Sequence, residues 1–334
     1  MAGSTTLVIG ASGFLGSHVT RQLADRGDQV RVLVRHSSST EAFDDLNVEI
    51  HRGDVADIEA LRKAMVDCKV VYHCVVDVRA FLYRPDELFA TNVDGLRNVL
   101  DAALEADLDK FVFTSTIGTI GVEADGSVAT EESSFNWAKE GGEYIRSRVM
   151  AEELVFKYVR EHDLPAVAMC VSNTFGPGDY APTMHGALLI DAAAGRRPIY
   201  PFGLSAEVVG VEDAAAAMLL AAERGTVGDR YIISERYLSQ HELYQTAADV
   251  AGAAAPRGVP MAVFRVLGLA GDGVRLLTHK DVRLCSLCIR LLTLPGQLDH
   301  SKAERELGWH PTPIHDHIRK AVEFYRERDM LTHR

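Results

Sequence analysis

The first sixteen residues constrain the fold more than any other stretch. Thr5–Ile9 is a β-branched, apolar run that leads without a gap into Gly10-Ala11-Ser12-Gly13-Phe14-Leu15-Gly16. Residues 17–24 then continue with helical spacing, and Leu15, Val19 and Leu23 fall on one stripe. A glycine triplet between a strand and a helix carries a meaning that the same triplet elsewhere lacks. Gly10 permits the tight turn off the strand. Gly13 lets a phosphate approach the backbone where a Cβ would block it, and Gly16 lets the helix pack close to the strand. The helix N-terminus offers free N–H groups and a partial positive charge to a diphosphate. Gly10, Ser12, Gly13, Phe14, Leu15 and Gly16 are therefore the expected diphosphate cradle.

Strand-like and helical patterns keep alternating. Gln29–Val34, 48–51, 69–76, 110–114 and Ala166–Val171 read as strands, and 57–66, 91–106 and 142–161 as helices. That alternation predicts an α/β fold, a Rossmann-type doubly wound parallel sheet whose ligands bind beyond the carboxyl ends of the strands. Residues 1–175 are expected to form the NAD(P)-binding domain. Residues 176–334 read as a smaller C-terminal α/β substrate region, partly interleaved with the first, with a short strand at 231–234 and Pro/Gly punctuation at 255–260 and 295–296.

The 334 residues, 47% hydrophobic and 25% charged, have a globular composition. A net charge of −12 argues against non-specific nucleic-acid binding and against an anionic membrane surface. Met261–Thr278 is apolar but interrupted by Arg265, Asp272 and Arg275, so it reads as a packed helix and not as a membrane span. Five cysteines, an odd number with no visible secretion signal, point to reduced thiols and a cytoplasmic protein.

After the second strand an acidic residue would hold an adenosine 2′-hydroxyl. This chain has Val34-Arg35-His36-Ser37-Ser38 there, and Arg35 suits the 2′-phosphate of NADP better than the hydroxyl of NAD. Asp54 and Val55, after the third strand, are placed to meet adenine. Two further stretches carry chemistry: Phe113-Thr114-Ser115-Thr116-Ile117-Gly118, leaving the fifth strand, and Tyr144-Ile145-Arg146-Ser147-Arg148, opening a long helix. A spacing of i and i+4 puts Tyr144 and Arg148 on one helix face. A phenol beside a fixed cation loses its proton more easily and can serve as acid or base on a carbonyl or alcohol. The Thr116 hydroxyl can hold the same oxygen.

With these motifs in hand, the chain resembles the extended short-chain dehydrogenase/reductases, the NAD-dependent epimerase/dehydratase family. The resemblance spans nearly the whole length. It rests on the glycine loop, Gly53-Asp54, Tyr72-His73-Cys74-Val75, Asn92-Val93-Asp94-Gly95, Thr114-Ser115-Thr116, Ala151-Glu152, Gly176-Pro177-Gly178-Asp179, Val211-Glu212-Asp213 and Glu306-Leu307-Gly308-Trp309. Arg35 places it nearest the dihydroflavonol reductase, cinnamoyl-CoA reductase and 3β-hydroxysteroid dehydrogenase branch. The resemblance implies Tyr144 as acid/base, Thr116 as the hydroxyl that positions the substrate oxygen, and residue 148 as the group that binds the nicotinamide ribose and lowers the pKa of Tyr144. It implies that Val75, Ser115, Val171 and Thr174 line the nicotinamide site. Asn92 would serve either a water relay or helix packing. It further implies a homodimer through the helices starting near Thr91 and Tyr144.

The chain departs from the family in three places. Arg148 stands where the family has lysine, Cys170-Val171 replaces Arg-Pro, and Val75-Val76 replaces a pair of small residues. The expected function is an NADP-dependent oxidoreductase on a carbonyl/alcohol pair of a small, apolar (sterol-like or phenolic) molecule, with Leu188, Leu189, Ile190 and 259–277 as possible pocket walls. The alternatives are a nucleotide-sugar epimerase/dehydratase and a catalytically weak NADP-binding regulatory protein. Elsewhere, Cys285 and Cys288 read as buried thiols rather than a zinc pair, and no metal is expected. His315 and His317 read as a solvated loop, His73 as a packed residue bonded to backbone, and residues 139–143 as a solvated loop that delivers Tyr144.

Overall fold

The computed structural model describes residues 5–294 and 296–332; Pro295, read above as part of a turn, lies outside the described residues. In chain order the first half contains β1 (Thr5–Ile9), α1 (Phe14–Asp25), β2 (Gln29–Val34), β3 (Glu49–Arg52), α2 (Ile58–Met65) and β4 (Cys68–His73). Then come α3 (Asp86–Phe89), α4 (Leu96–Glu105), β5 (Lys110–Thr116), α5 (Ala138–His162) and β6 (Ala166–Val171). The second half contains β7 (Asn173–Phe175), α6 (Met184–Ala193), β8 (Ile199–Pro201), β9 (Ser205–Gly210), α7 (Val211–Arg224) and β10 (Arg230–Ile233). It closes with β11 (Arg236–Ser239), α8 (Gln240–Ala251), β12 (Arg257–Val259), α9 (Met261–Thr278), α10 (Ser286–Leu291) and α11 (Ile314–Glu327).

Seven parallel strands form the main sheet in the order β3-β2-β1-β4-β5-β6-β10. Strands buried on both faces need near-continuous apolar runs, and β6, Ala-Val-Ala-Met-Cys-Val, is buried throughout. One apolar cluster covers each face of this sheet. The order in which strands are added reverses between β1 and β4, so the crevice for ligands opens at their carboxyl ends. The last strand of the sheet, β10, comes from beyond residue 176, and the smaller β11-β9-β7 and β12-β8 sheets sit over a third apolar cluster. The fourth strand ends at His73, three residues earlier than its sequence pattern predicts, and leaves Cys74-Val75-Val76 to line the crevice.

The C-terminal region is fastened by Trp309, 1% exposed, whose indole N–H donates to Asp213 O at 2.9 Å. Truncating a buried tryptophan typically costs about 3–5 kcal/mol. A surface ion pair such as Arg328 with Glu41 contributes about 0–1 kcal/mol, so apolar burial, by the indole and by Ile314, Ile318, Val322 and Tyr325 of α11, decides the attachment.

His317 corrects the expectation of a solvated loop. It lies in α11, almost fully buried, with Nε2 at 2.9 Å from Asp213 Oδ2 and Nδ1 at 3.1 Å from Glu212 Oε2. Two carboxylates more than a hundred residues away in sequence cannot be seen from local spacing. Burial works against its charge, but Asp213 and Glu212 outweigh that and raise His317 to about 9. The neighbouring His317 imidazolium, with Lys320 and against the opposing effect of burial, takes Glu212 down to about 2. The raised imidazolium stabilises the fold fully below its ordinary 6.5, and that contribution is lost as pH rises through about 9. The lowered Glu212 contributes above its ordinary 4.5 and loses its effect as pH falls through about 2. His317→Ala should therefore destabilise the protein by about 2 kcal/mol at about pH 6, discounted for the exposure of Glu212. The gap from wild type should shrink at about pH 10. Urea unfolding at both pH values checks it; an equal gap at both would contradict the charged pairing.

Candidate functional site

Gly10 turns the chain off β1 at φ +89°, and a Cβ there would meet Val75 Cγ2 at 2.9 Å and the Cys74 carbonyl carbon at 3.0 Å. At Gly16 a Cβ would run into Gly10 O, which is why helix and turn can touch. Gly13 differs from both. Its only near neighbour is Gly10 O at 3.3 Å, so the space over it is open. Gly13 is also the N-cap of α1, with no side-chain cap and no acidic residue in the first turn. Ser12 and Gly13 are exposed, and Phe14 and Leu15 half-buried. An uncapped helix N-terminus under an open glycine is the shape that a diphosphate fills, so these residues fit a dinucleotide.

Beyond β2, Arg35 is exposed. Arg52, ending β3, donates from Nη1 to Arg35 O and Ser38 O at 3.0 Å each, so it fixes the 35–38 loop and brings a second guanidinium beside it. Sequence reading missed Arg52, whose signal was its place directly before Gly53-Asp54. Asp54 is exposed and accepts from Ala56 N at 3.0 Å. Val55 is buried against Gly95, where a Cβ would meet Val55 Cγ2 at 2.6 Å, and Asn98 Nδ2 donates to Val55 O.

At the other end of the crevice, β5 and α5 meet. The α5 segment carries a break at Gly142 (φ 66°, ψ −172°), so residues 138–141 form a helical turn instead of the expected loop, and the continuous helix starts just before Tyr144. The Thr116 hydroxyl accepts from Gly118 N at 3.1 Å and lies near enough to the Tyr144 phenol to favour its ionisation. Burial raises Tyr144 above its ordinary 10. Arg148 and Thr116 pull it back, and the Asp77 carboxylate adds to the rise. The cation acts on the phenol in the expected sense, yet burial outweighs it here.

Arg148 is 1% exposed. Its Nη2 donates to Thr114 O at 2.5 Å, and its guanidinium lies 5.2 Å from the centre of the Phe113 ring. Its Nε and Nη1, both buried, have no hydrogen-bond partner among the described residues. His73 corrects another expectation. It is packed as expected, 1% exposed, but neither ring nitrogen has a hydrogen-bond partner among the described residues; the imidazole stacks against Phe111 and Phe113, and burial with Arg148 nearby lowers it to about 3.

Ser115 directs its hydroxyl to Glu152, away from a bare ligand role. Glu152, 5% exposed, also accepts from Thr119 Oγ1 and Cys170 Sγ and pairs with Arg230 Nη1 at 2.9 Å. This carboxylate ties β5, β6 and β10 together behind the site, a role that sequence reading did not assign. Val75 is half-buried over Gly10, Val171 is buried at the end of β6, and Thr174 lies half-buried in β7. Asn92, within a π-helical turn at residues 90–95, accepts from Asp77 N and donates to Asp77 O and Ser147 Oγ. It clamps the loop after β4 to the helix that carries Tyr144 and Arg148. Asp77, pinned in this way and paired with Arg79 at 2.6 Å, is a further residue facing the phenol that sequence reading passed over.

A strap from the second half crosses this end. Arg275 Nη2 donates to Leu82 O at 2.6 Å, and Tyr83 N donates to Asp281 Oδ1 at 2.7 Å. A hollow of about 200 Å³ lies beneath it, lined by Leu82, Leu88, Gly142, Arg275, Leu287 and Arg290 among others. The residues read as pocket walls are elsewhere: Leu189 and Ile190 pack into the third core cluster, and α9 turns most of its apolar side chains to solvent. Cys285 is the buried N-cap of α10 and Cys288 is half-buried. No helix among the described residues is long and apolar enough to cross a membrane.

Known proteins are similar to this chain in sequence and fold. The sequence profile of the NAD dependent epimerase/dehydratase family matches residues 6–234. The chain is 30% identical to sterol demethylase protein B of Methylococcus capsulatus, over 98% of this chain and 100% of that one. It is 26% identical to a dihydroflavonol 4-reductase of Dianthus caryophyllus, over 70% and 69% of the two chains. The crystal structure of gox2253 superposes with a TM-score of 0.86 at 31% identity, covering 97% of this chain and 98% of that one.

Proposed function

The chain belongs to the NAD dependent epimerase/dehydratase family, whose members bind a nicotinamide cofactor, and from that premise we propose that it is an NADP-dependent oxidoreductase interconverting a carbonyl and an alcohol. The observation that carries the reading is the meeting of Thr116, Tyr144 and Arg148 at the carboxyl end of β5. Gly10–Gly16 and the α1 N-terminus hold the diphosphate, Arg35 and Arg52 the adenosine phosphate, and the free Nε and Nη1 of Arg148 the nicotinamide ribose. The bound nicotinamide supplies the hydride chemistry. Tyr144 gives its proton to the substrate oxygen on reduction and takes one on oxidation, while Thr116 holds that oxygen. Burial keeps the phenol protonated at neutral pH, the state that proton donation during reduction requires. An apolar ketone suits the site, a reading supported by the reductase and sterol demethylase names of the relatives.

A second reading, a catalytically weak NADP-binding regulatory protein, draws on one observation: Arg148 is held back on Thr114 O and the Phe113 ring. An absorbance screen of NADPH oxidation with apolar ketones and aldehydes separates the two, since sustained turnover excludes the second. Within the first reading, Arg35→Ala should raise the KM for NADPH about ten- to a hundredfold, the equivalent of one charge-assisted hydrogen bond of about 1.5–3 kcal/mol. The KM for NADH should hardly change. Equal losses for both cofactors would place Arg35 away from the 2′-phosphate.

A further inference from the structure

Of the eighteen residues of α9 only Phe264 and Gly268 are buried. Val266, Leu269, Leu276 and Leu277 are 65%, 67%, 71% and 84% exposed, and Val263 and Val274 are also open. A contiguous apolar face of this kind marks an interaction surface. Its charge is opposite to that of the chain. Residues 261–294 carry five cations, Arg265, Arg275, Lys280, Arg283 and Arg290, against the two carboxylates Asp272 and Asp281, in a chain of net charge −12. Both carboxylates are engaged inside the strap, Asp272 by Ser286 N and Asp281 by Tyr83 N. Arg265, Lys280, Arg283 and Arg290 are exposed, and no salt bridge among the described residues involves them.

We propose that α9 and the following 279–284 turn dock the protein on the surface of an anionic lipid bilayer, with the apolar face in the headgroup boundary and the cations on the lipid phosphates. The physics is that of an interfacial amphipathic helix, whose binding sums apolar burial and attraction to anionic lipid. The chain-wide negative charge does not oppose it, because charges beyond the Debye length of about 8 Å are screened at physiological salt. A second copy of the chain fits the face less well. An isologous contact would bring the same unpaired cations together across the two-fold axis. The docked face adjoins the site: Leu287, in the helix after the turn, packs on Gly142, where a Cβ would lie 2.7 Å from it. The docking itself does not depend on the oxidoreductase reading. Only its use, admitting a bilayer-dissolved substrate beneath the strap, rests on that reading.

Flotation of the full chain with vesicles tests it without any turnover measurement. The protein should float with vesicles containing a third phosphatidylglycerol, stay behind with phosphatidylcholine alone, and be released by molar salt. The double variant Leu269→Glu, Leu277→Glu and the double variant Lys280→Glu, Arg283→Glu should each lower the bound fraction at least about tenfold, with unchanged circular dichroism and melting. Wild-type protein that never floats with the anionic vesicles overturns the proposal, as does binding that both double variants retain. A salt-insensitive dimer that the leucine variant converts to monomer, without vesicle binding, would assign the face to self-association instead. Loss of turnover with flotation intact would strike the oxidoreductase reading and leave the docking standing.

Discussion

Tyr144→Phe should lower the turnover of the best carbonyl substrate about a thousandfold while leaving the Kd for NADPH within about twofold of wild type. Tyr144 opens the unbroken part of α5, directly after the left-handed break at Gly142, with its phenol near Thr116 Oγ1. Phenylalanine keeps the ring and its packing and removes only the proton donor. General acid catalysis by a positioned side chain contributes about 10²–10⁴-fold. The pH dependence follows from the same burial. A phenol held above its ordinary 10 remains an acid through neutral pH, so the reduction rate should be flat there and fall only in alkali. The oxidation rate should climb over the same alkaline range. Steady-state rates in both directions, with NADPH binding followed by fluorescence, check the result. A phenylalanine variant with more than about a tenth of wild-type turnover would remove Tyr144 from the chemistry.

Much of this site is legible from spacing alone, because a strand, a glycine turn and a helix are covalently consecutive. Gly10–Gly16 and the pairing of Tyr144 with Arg148 are local relations, and a parallel sheet then carries each post-strand segment to the same edge. What sequence reading lost was set by contacts distant along the chain. His317 looked solvated because Glu212 and Asp213, which bury and charge it, lie more than a hundred residues away in sequence. His73 was assigned a backbone bond, but the rings of Phe111 and Phe113, against which it stacks, belong to the neighbouring strand. The apolar content of α9 suggested packing, and periodicity could not report that only Phe264 and Gly268 are buried. Glu152 was matched as a family motif without a role, since its partners come from four separate segments.

Arg148→Met and Arg148→Lys should part activity from stability. The guanidinium is fully desolvated, and its Nε and Nη1 have no protein partner. Burial weakens its hold on its own charge, which the neighbouring Tyr144 and Glu152 only partly offset. A buried cation so poorly compensated gives the fold little, and an apolar isostere of similar volume is often neutral or stabilising by about 1–4 kcal/mol. Arg148→Met should accordingly melt no lower than wild type. Its turnover should nevertheless fall about a hundredfold, because the cation is what draws the Tyr144 pKa down and what remains to hold the ribose. Lysine has a shorter reach and no planar fork, so it cannot keep both the Thr114 carbonyl bond and the stacking on Phe113. Freed of those contacts, its ammonium is a compact charge able to sit nearer the phenol. Arg148→Lys should therefore match or exceed wild-type turnover and shift the alkaline fall of the reduction rate to lower pH. Paired melting and kcat measurements on the two variants settle the role of this position. If methionine retained full turnover, Arg148 would be a packing residue, and if neither wild type nor the lysine variant turned over any carbonyl, the cofactor would be bound for regulation.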